Sequence, residues 1–363
     1  MKTLDIVAGA RPNFMKIAPI VRALERAGNG LGYRIVHTGQ HYDREMNEVF
    51  FEELGLPRPD VCFEAGSGSH AEQTAKIMLA FEAYCRAGRP DLVMVVGDVN
   101  STLACAIVAK KAGIPVAHVE AGLRSRDLAM PEEINRIVTD SISDLFFVTE
   151  PAAVDNLVRE GKACERIFHV GHVMVDNLVY QTERLGTASL GSSDLKKRFQ
   201  RYGVVTLHRA SNVDDPATLA RLVRALGEVS RELPLIFPVH PRTRARLNGH
   251  AADLGPGVCL TPPLSYMEFL NLWKDATLTL TDSGGLQEET TALGVPCVTL
   301  RENTERPITV EEGTNVLAGT DPARIAAAVS RVLRGEGKRG RRPALWDGRA
   351  AERIVDVLRR ELD

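Results

Sequence analysis

The chain has 363 residues, 44% apolar and 25% charged, a balance that suits a folded globular protein rather than a disordered or fibrous one. That length predicts two domains instead of one core. A net charge of −2 and a pI near 6.5 argue against a nucleic-acid-coating or membrane-surface role, and leave room for local basic sites that hold a phosphorylated small molecule.

The elements follow in chain order. Thr3–Ala8 reads as a buried strand closed by Gly9-Ala10-Arg11-Pro12, and Phe14–Ala27 carries apolar residues at helical spacing (Ile17, Ile20, Val21, Leu24) up to Gly28. Tyr33–His37 is a second strand, followed by the polar loop Thr38-Gly39-Gln40-His41. Arg44–Leu54 and Ala71–Ala87 are expected to be helical. Leu92–Val96, Ser101–Ala112 and Val116–Val119 form a strand–helix–strand unit of the βαβ kind. Pro131–Ile142, Leu145–Val148, Ala152–Glu160 and Ile167–Val170 continue the alternation. After a connector over 171–201, Gly203–Leu207, Leu235–Val239, Val258–Leu260, Leu278–Thr281 and Cys297–Leu300 are strands, with helices at Pro216–Glu232 and Leu286–Ala292. Two helices, Pro322–Leu333 and Gly348–Arg360, finish the chain.

Strands alternating with helices over this length predict α/β architecture: two doubly wound, Rossmann-like domains facing across a cleft. The first covers 1–171, and the second covers 172–345. A last helical segment, 346–363, either packs on the second domain or crosses back to the first; the sequence leaves both open. Leu4–Ala8 is too short an apolar run for a signal peptide, and no segment approaches the ~20 apolar residues that span a bilayer, so a cytoplasmic protein with no membrane partner is expected.

Six cysteines (Cys62, Cys85, Cys105, Cys164, Cys259, Cys297) lie far apart, mostly within apolar runs and with no CxxC, which predicts buried reduced thiols and no zinc site. His118-x-Glu120 matches half of a zinc deaminase signature, but the PCxxC half is missing. His169 and His172, three apart near a strand end, are a weak metal signal, and no metal is expected.

Ligands in open parallel sheets bind at the carboxyl ends of the strands. Three acids sit there or nearby: Asp98 after Leu92–Val96, Glu120 after Val116–Val119, and Glu132 in the first turn after Pro131, with Arg136 one turn on. Each has a plain structural alternative. Asp98 could cap the helix near Ser101, and Glu132 could pair with Arg136 on the surface. In the second half, Asp282-Ser283-Gly284-Gly285 joins a strand to a helix, which offers free N–H groups at the positive end of a helix dipole to an anion. Glu289 stands where a carboxylate can grip ribose hydroxyls. Arg11, Lys16, Arg209, Arg242, Arg244 and Arg306 supply cations, and His208 a titratable ring. There is no GxxxxGK[ST] and no GxGxxG, which points away from ATP hydrolysis and hydride transfer toward another nucleoside diphosphate ligand.

These residues fall in stretches that run almost end to end: Gly9–Lys16 (GARPNFMK), Thr38–Asp43 (TGQHYD), Gly97–Thr102 (GDVNST), His118–Arg124 (HVEAGLR), Met130–Arg136 (MPEEINR), Thr206–Arg209 (TLHR), His240–Arg242 (HPR), Leu280–Glu289 (LTDSGGLQEE) and Glu305–Pro307 (ERP). The set closely resembles the bacterial, non-hydrolysing UDP-N-acetylglucosamine 2-epimerase family. The resemblance implies a glycosyltransferase-B type fold with its active site in the interdomain cleft, and a homodimer that needs no cofactor. It implies reversible interconversion of UDP-GlcNAc and UDP-ManNAc by loss of UDP to 2-acetamidoglucal and its re-addition, supplying ManNAc-type sugars for cell-surface polysaccharide. Asp98, Glu120, Glu132 and His208 are then the catalytic groups. Arg11, Lys16, Arg136, Ser283, Gly284, Gly285, Glu289 and Arg306 contact substrate, and Gln40, Arg209 and His240 fit a second UDP-sugar site that activates some members. The alternatives are an epimerase for a UDP-diacetamido-uronic acid, a hydrolysing relative that releases ManNAc, a glycosyltransferase, or a silent UDP-sugar sensor.

Overall fold

The computed structural model describes residues 2–28, 30–39, 51, 53–66, 68–186, 191–247, 249 and 251–362. All paired strands among them run parallel, in two sheets. Strands β1 (Lys2–Ala8), β2 (Leu31–His37), β3 (Val61–Cys62), β4 (Leu92–Val96), β5 (Val116–Val119), β6 (Leu145–Val148) and β7 (Ile167–His169) form the first, in the order β3-β2-β1-β4-β5-β6-β7. The second takes β8 (Gly203–Thr206), β9 (Leu235–Pro238), β10 (Val258–Thr261), β11 (Leu278–Thr281), β12 (Cys297–Thr299) and β13 (Asn315–Leu317), in the order β10-β9-β8-β11-β12-β13. These are the two doubly wound sheets the alternation predicts. The inner strands LVMVV and LFFV are buried at every position, as strands covered on both faces must be.

In each sheet the strand order reverses at one place: between β1 and β4 in the first, and between β8 and β11 in the second. Loops leaving neighbouring strands there turn to opposite faces and open a crevice at the carboxyl ends.

The chain divides into two compact units, Met1–Val179 with Ala344–Asp363, and Tyr180–Pro343. The first division falls inside the helix Val173–Leu185, eight residues beyond the expected boundary at 171, because that helix continues without a break. The last helix, Ala350–Leu362, belongs to the first unit. It buries Ile354, Val355 and Leu358 in the core that also holds Ile17, Ile20, Val21 and Leu24 of the helix Arg11–Ala27. Asp176 accepts from Ala350 N (3.1 Å) and Ala351 N (2.7 Å), satisfying two of that helix's first N–H groups. The buried Trp346 donates from Nε1 to Thr149 O at 3.0 Å.

Several short elements were not legible in the sequence: β3, β13, and the helices Pro241–Leu247 and Tyr266–Trp273. Strands of two or three residues carry too little alternation to register. The helix Tyr266–Trp273 did carry a signature, the capping box of Ser265 and Glu268. The expected helix Arg44–Leu54 lies largely outside the described residues. All six thiols are free, but only Cys85, Cys105 and Cys297 are buried. Cys62 and Cys164 are exposed, against expectation, because one lies on the short edge strand β3 and the other in a single 3-10 turn, neither with a core face. No helix among the described residues is long and apolar enough to cross a membrane.

Candidate active site

Both clusters of candidate residues occupy the reversal points of their sheets. In the first unit, β1 ends in Gly9-Ala10, and Asn13 folds this turn by accepting from Gly9 N (3.1 Å) and Ala10 N (2.9 Å). Its amide donates in turn to Val96 O, the end of β4, at 3.1 Å. A Cβ on Gly9 would lie 2.0 Å from Ser101 Oγ, so the β1 turn packs directly on the helix Asn100–Lys111 and only glycine fits. The backbone of Arg11 opens the helix Arg11–Ala27; its side chain lies outside what the structure describes.

Beyond β4 the backbone enters the left-handed region at Gly97 (φ 67°), and beyond β5 it does so again at Glu120 (φ 69°). Glutamate in that region costs roughly 1–3 kcal/mol, and such strain concentrates at functional sites. The turn is held by Glu120 N and Ala121 N, both donating to Phe147 O (3.0 and 3.2 Å), and by Gly122, where a Cβ would lie 2.4 Å from Ala153 O. Glu120 is buried and its carboxylate pairs with the buried Lys16. A Cβ on Gly97 would stand 2.7 Å from Lys16 Nζ and 3.3 Å from Glu120 Oε2. The Lys16–Glu120 pair is thus packed against the backbone that leads into Asp98. His172 Nε2 approaches Glu120 Oε1 to 3.8 Å, while its Nδ1 accepts from Met174 N at 3.1 Å, which places the proton of the neutral ring on Nε2.

Asp98 does not cap the following helix, whose N-cap is Val99 with no side-chain bond. Its Oδ2 accepts instead from Arg136 Nε at 3.0 Å, and its carbonyl from Asn135 Nδ2 at 2.8 Å. Nor is Arg136 the surface partner of Glu132. It is buried, and joins Asp98 to Glu133, the neighbouring acid. Glu133 also accepts from Ser125 N (3.0 Å) and Arg126 N (2.8 Å), so it folds the loop ahead of its helix. Glu132, half-buried in the first turn of Pro131–Ile142, takes no part in this pairing.

In the second unit, β11 leads into Asp282 and Ser283. Ser283 is the N-cap of the helix Gly284–Leu293, its Oγ accepting from Leu286 N at 3.4 Å. Gly285 faces open space, whereas a Cβ on Gly284 would meet Arg306 Nη1 at 2.7 Å and Glu305 Oε1 at 2.8 Å. A side chain at 284 would therefore have to displace the buried Arg306–Glu305 pair beneath it. Arg306 is buried and pairs with both Glu288 and Glu305. Burial would raise the Glu305 carboxyl, but Arg306 and Arg301 hold it well below the usual carboxylate range. The arginine nearest this helix N-terminus is thus already paired with two carboxylates, and the backbone N–H groups at Gly284 and Gly285 are what the turn offers an anion.

Asp282 was expected only as part of the turn, and it does more. It is fully buried, and accepts from His208 N (3.0 Å), Arg209 N (3.0 Å) and Asn212 Nδ2 (3.1 Å). His208 Nδ1 lies 3.0 Å from Asp282 Oδ1. Burial would raise the Asp282 carboxyl, yet His208 and the backbone donors hold it below its usual value. Ionised Asp282 therefore accepts a hydrogen bond from Nδ1–H, and Nε2 of the half-exposed ring is the atom left to act. Glu289, buried, accepts from the Tyr266 hydroxyl at 2.8 Å, a partner that sequence reading missed. Arg209 and the exposed His240 follow the neighbouring strands β8 and β9, and Gln40 lies outside the described residues.

The chain matches the family model of UDP-N-acetylglucosamine 2-epimerase over residues 22–359. It is 43% identical to the UDP-N-acetylglucosamine 2-epimerase of Methanocaldococcus jannaschii, with 98% of each chain covered. It is 39% identical to the UDP-2,3-diacetamido-2,3-dideoxy-D-glucuronate 2-epimerase of Pseudomonas aeruginosa, with 99% of each covered. The crystal structure of the M. jannaschii enzyme with UDP-GlcNAc and UDP superposes with a TM-score of 0.89 at 42% identity, over 98% of this chain and 99% of that one. The Neisseria meningitidis UDP-GlcNAc 2-epimerase bound to UDP-GlcNAc follows at 0.88 and 27% identity, covering 99% of each. A likeness that spans the whole chain and includes both reversal-point clusters makes this protein a member of the UDP-N-acetylglucosamine 2-epimerase family.

Proposed function

We propose that the protein interconverts UDP-GlcNAc and UDP-ManNAc by elimination and re-addition of UDP. The observation that carries this reading is the first unit's cluster in a chain of this family. Asp98 is fixed by buried Arg136, and strained Glu120 is paired with Lys16 beside it. Binding alone does not call for buried, ion-paired acids at a left-handed turn.

The C2–H of the sugar is not adjacent to a ketone, so deprotonation needs the C1–O bond to break with it. A carboxylate takes the C2 proton, the C1–O electron pair leaves on the diphosphate, and a C1=C2 double bond forms. In the return step a diphosphate oxygen attacks C1, and C2 receives a proton on the opposite face. Asp98, Glu120 and Glu132 are the candidates for these proton transfers, worth roughly 10²–10⁴-fold each. The backbone N–H groups of the Ser283 turn stabilise the departing diphosphate, and His208, when its Nε2 carries a proton, donates toward it. Arg11 and Lys16 serve substrate and carboxylates, and Glu289 the ribose. Arg209 and His240 are assigned to a second UDP-sugar.

A homodimer is part of this reading. Six free thiols suit a reducing cytoplasm. A second substrate reading, the UDP-diacetamido-glucuronate, draws support from the P. aeruginosa relative at 39% identity. Incubation with each nucleotide sugar separates them. Formation of UDP-ManNAc from UDP-GlcNAc supports the proposal, turnover of the uronate alone moves the substrate assignment, and release of free ManNAc with UDP replaces epimerisation by hydrolysis.

A further inference from the structure

His118, two residues before Glu120 on β5, has no role in the reaction as drawn, yet it lies at the junction of the elements that carry the carboxylates. The ring is fully buried. Nδ1 lies 2.6 Å from Asp140 Oδ1, and Nε2 lies 2.8 Å from the carbonyl oxygen of Gly97. A carbonyl can only accept. Asp140 is also an acceptor: its second oxygen takes Gly122 N (3.0 Å) and Arg124 Nη1 (2.7 Å). Burial would raise the Asp140 carboxyl, but His118 and Arg124 hold it below its usual value, so it is ionised. A ring with acceptors at both nitrogens donates from both, which makes it an imidazolium. Charge agrees: His118 and Arg124 balance Asp140 and Glu160, the latter bound to Arg124 Nη2 at 2.6 Å.

The target of Nε2 is informative. Gly97 is the left-handed residue that turns the chain into Asp98, and its N–H donates to Val119 O at 3.0 Å. Its peptide groups are thereby held on both sides from β5. Asp140 lies on Pro131–Ile142, the helix that also carries Glu132 and Arg136. One ring thus links the strand end before Asp98, the strand end before Glu120 and the helix of Glu132.

We propose that His118 is a positioning residue of the epimerisation, a buried imidazolium that fixes the Gly97 carbonyl and so the placement of Asp98 against Glu120. This rests on the epimerase reading above, and wild-type turnover of UDP-GlcNAc, measured first, tests that reading separately. In His118→Asn the amide occupies the place of Nδ1, beside Asp140, and leaves the Gly97 carbonyl without its donor. His118→Gln places an N–H near Nε2 and restores that donor. A misplacement of about 1 Å costs on the order of 10²-fold, so kcat of His118→Asn is expected to fall by about that factor with KM little changed. His118→Gln should recover about tenfold of the loss. Full kcat in a folded His118→Asn, or a loss confined to KM, would overturn the proposal. Nitrogen NMR of the wild-type protein stands independent of variant folding. It should show one solvent-protected histidine with both ring nitrogens protonated at neutral pH, and a neutral tautomer for every protected ring sinks the inference.

Discussion

His208 Nδ1 and Asp282 Oδ1 lie 3.0 Å apart across the reversal point of the second sheet, and Asp282 also receives the backbone N–H groups of His208 and Arg209. One carboxylate therefore fixes both the backbone and the ring of the histidine, from the same residue that leads into the Ser283 turn. The ring of His208 and the start of the Ser283 turn are set together.

Asp282→Asn removes the negative charge and one of the two acceptor oxygens that serve His208, Arg209 and Asn212, so the Nδ1–H of His208 loses its charged partner. We expect kcat to fall by about 10- to 100-fold, toward the low end of what a general acid contributes. Asp282→Asn and His208→Gln combined should cost little more than the worse single change, because the two act as a unit. Steady-state kinetics of the three variants check this, and additive losses would separate the residues. Asp282 is held below its ordinary value of 3.8 in the folded state. Its contribution to stability is therefore fully present above that pH and lost as pH falls through the lower, folded value.

Asp176 has the opposite sign. Burial pushes its carboxyl up to about 6 from 3.8, although Ala350 N and Ala351 N oppose the shift. The folded protein binds this proton more tightly than the unfolded chain, so ionising Asp176 costs stability as pH rises from 3.8 through about 6. The shift corresponds to about 3 kcal/mol. Melting temperatures of wild type and Asp176→Asn should therefore converge or cross in the variant's favour across this window. A constant difference would remove Asp176 from the pH response.

The final helix is held by packing as well as by that cap. Leu358 is fully buried in the core it shares with Ile17, Ile20 and Leu24. Leu358→Ala should destabilise the protein by about 2–5 kcal/mol, measured by denaturant unfolding, while leaving the kcat of the folded fraction unchanged.

Gly97→Ala probes the Lys16–Glu120 pair. The new Cβ would stand 2.7 Å from Lys16 Nζ, at a residue with φ 67°. The backbone strain costs roughly 1–2 kcal/mol. The lysine tip can move aside, but only by leaving Glu120. Activity should therefore fall by more than the stability loss explains, and an unchanged kcat would show that the pairing is dispensable.

Much of this was legible in the sequence, for identifiable reasons. β4 and β6 are unbroken apolar runs and β5 is interrupted only by His118, so residues such as Asp98 and Glu120 that follow them stand out against that background. What periodicity could not distinguish was one acid from its neighbour. Glu133, not Glu132, takes Arg136, because the 123–130 loop folds back to offer Glu133 two N–H groups, and loop paths leave no period to read. Arg306 looked like a substrate cation, and the fold places it under Gly284 between two glutamates. Asp282 was visible as a turn residue, but its hold on His208 depends on β8 lying beside β11, a pairing between strands more than seventy residues apart.

In the proposed reaction a carboxylate of this chain removes the proton at C2 and a proton is returned on the opposite face. Incubating the protein with UDP-GlcNAc in D₂O and reading the sugar by NMR tests it most directly. The expected product is UDP-ManNAc carrying deuterium at C2, with no exchange in Asp98→Asn while UDP still binds. UDP-ManNAc that retains the original C2 hydrogen, or full exchange in Asp98→Asn, would contradict it.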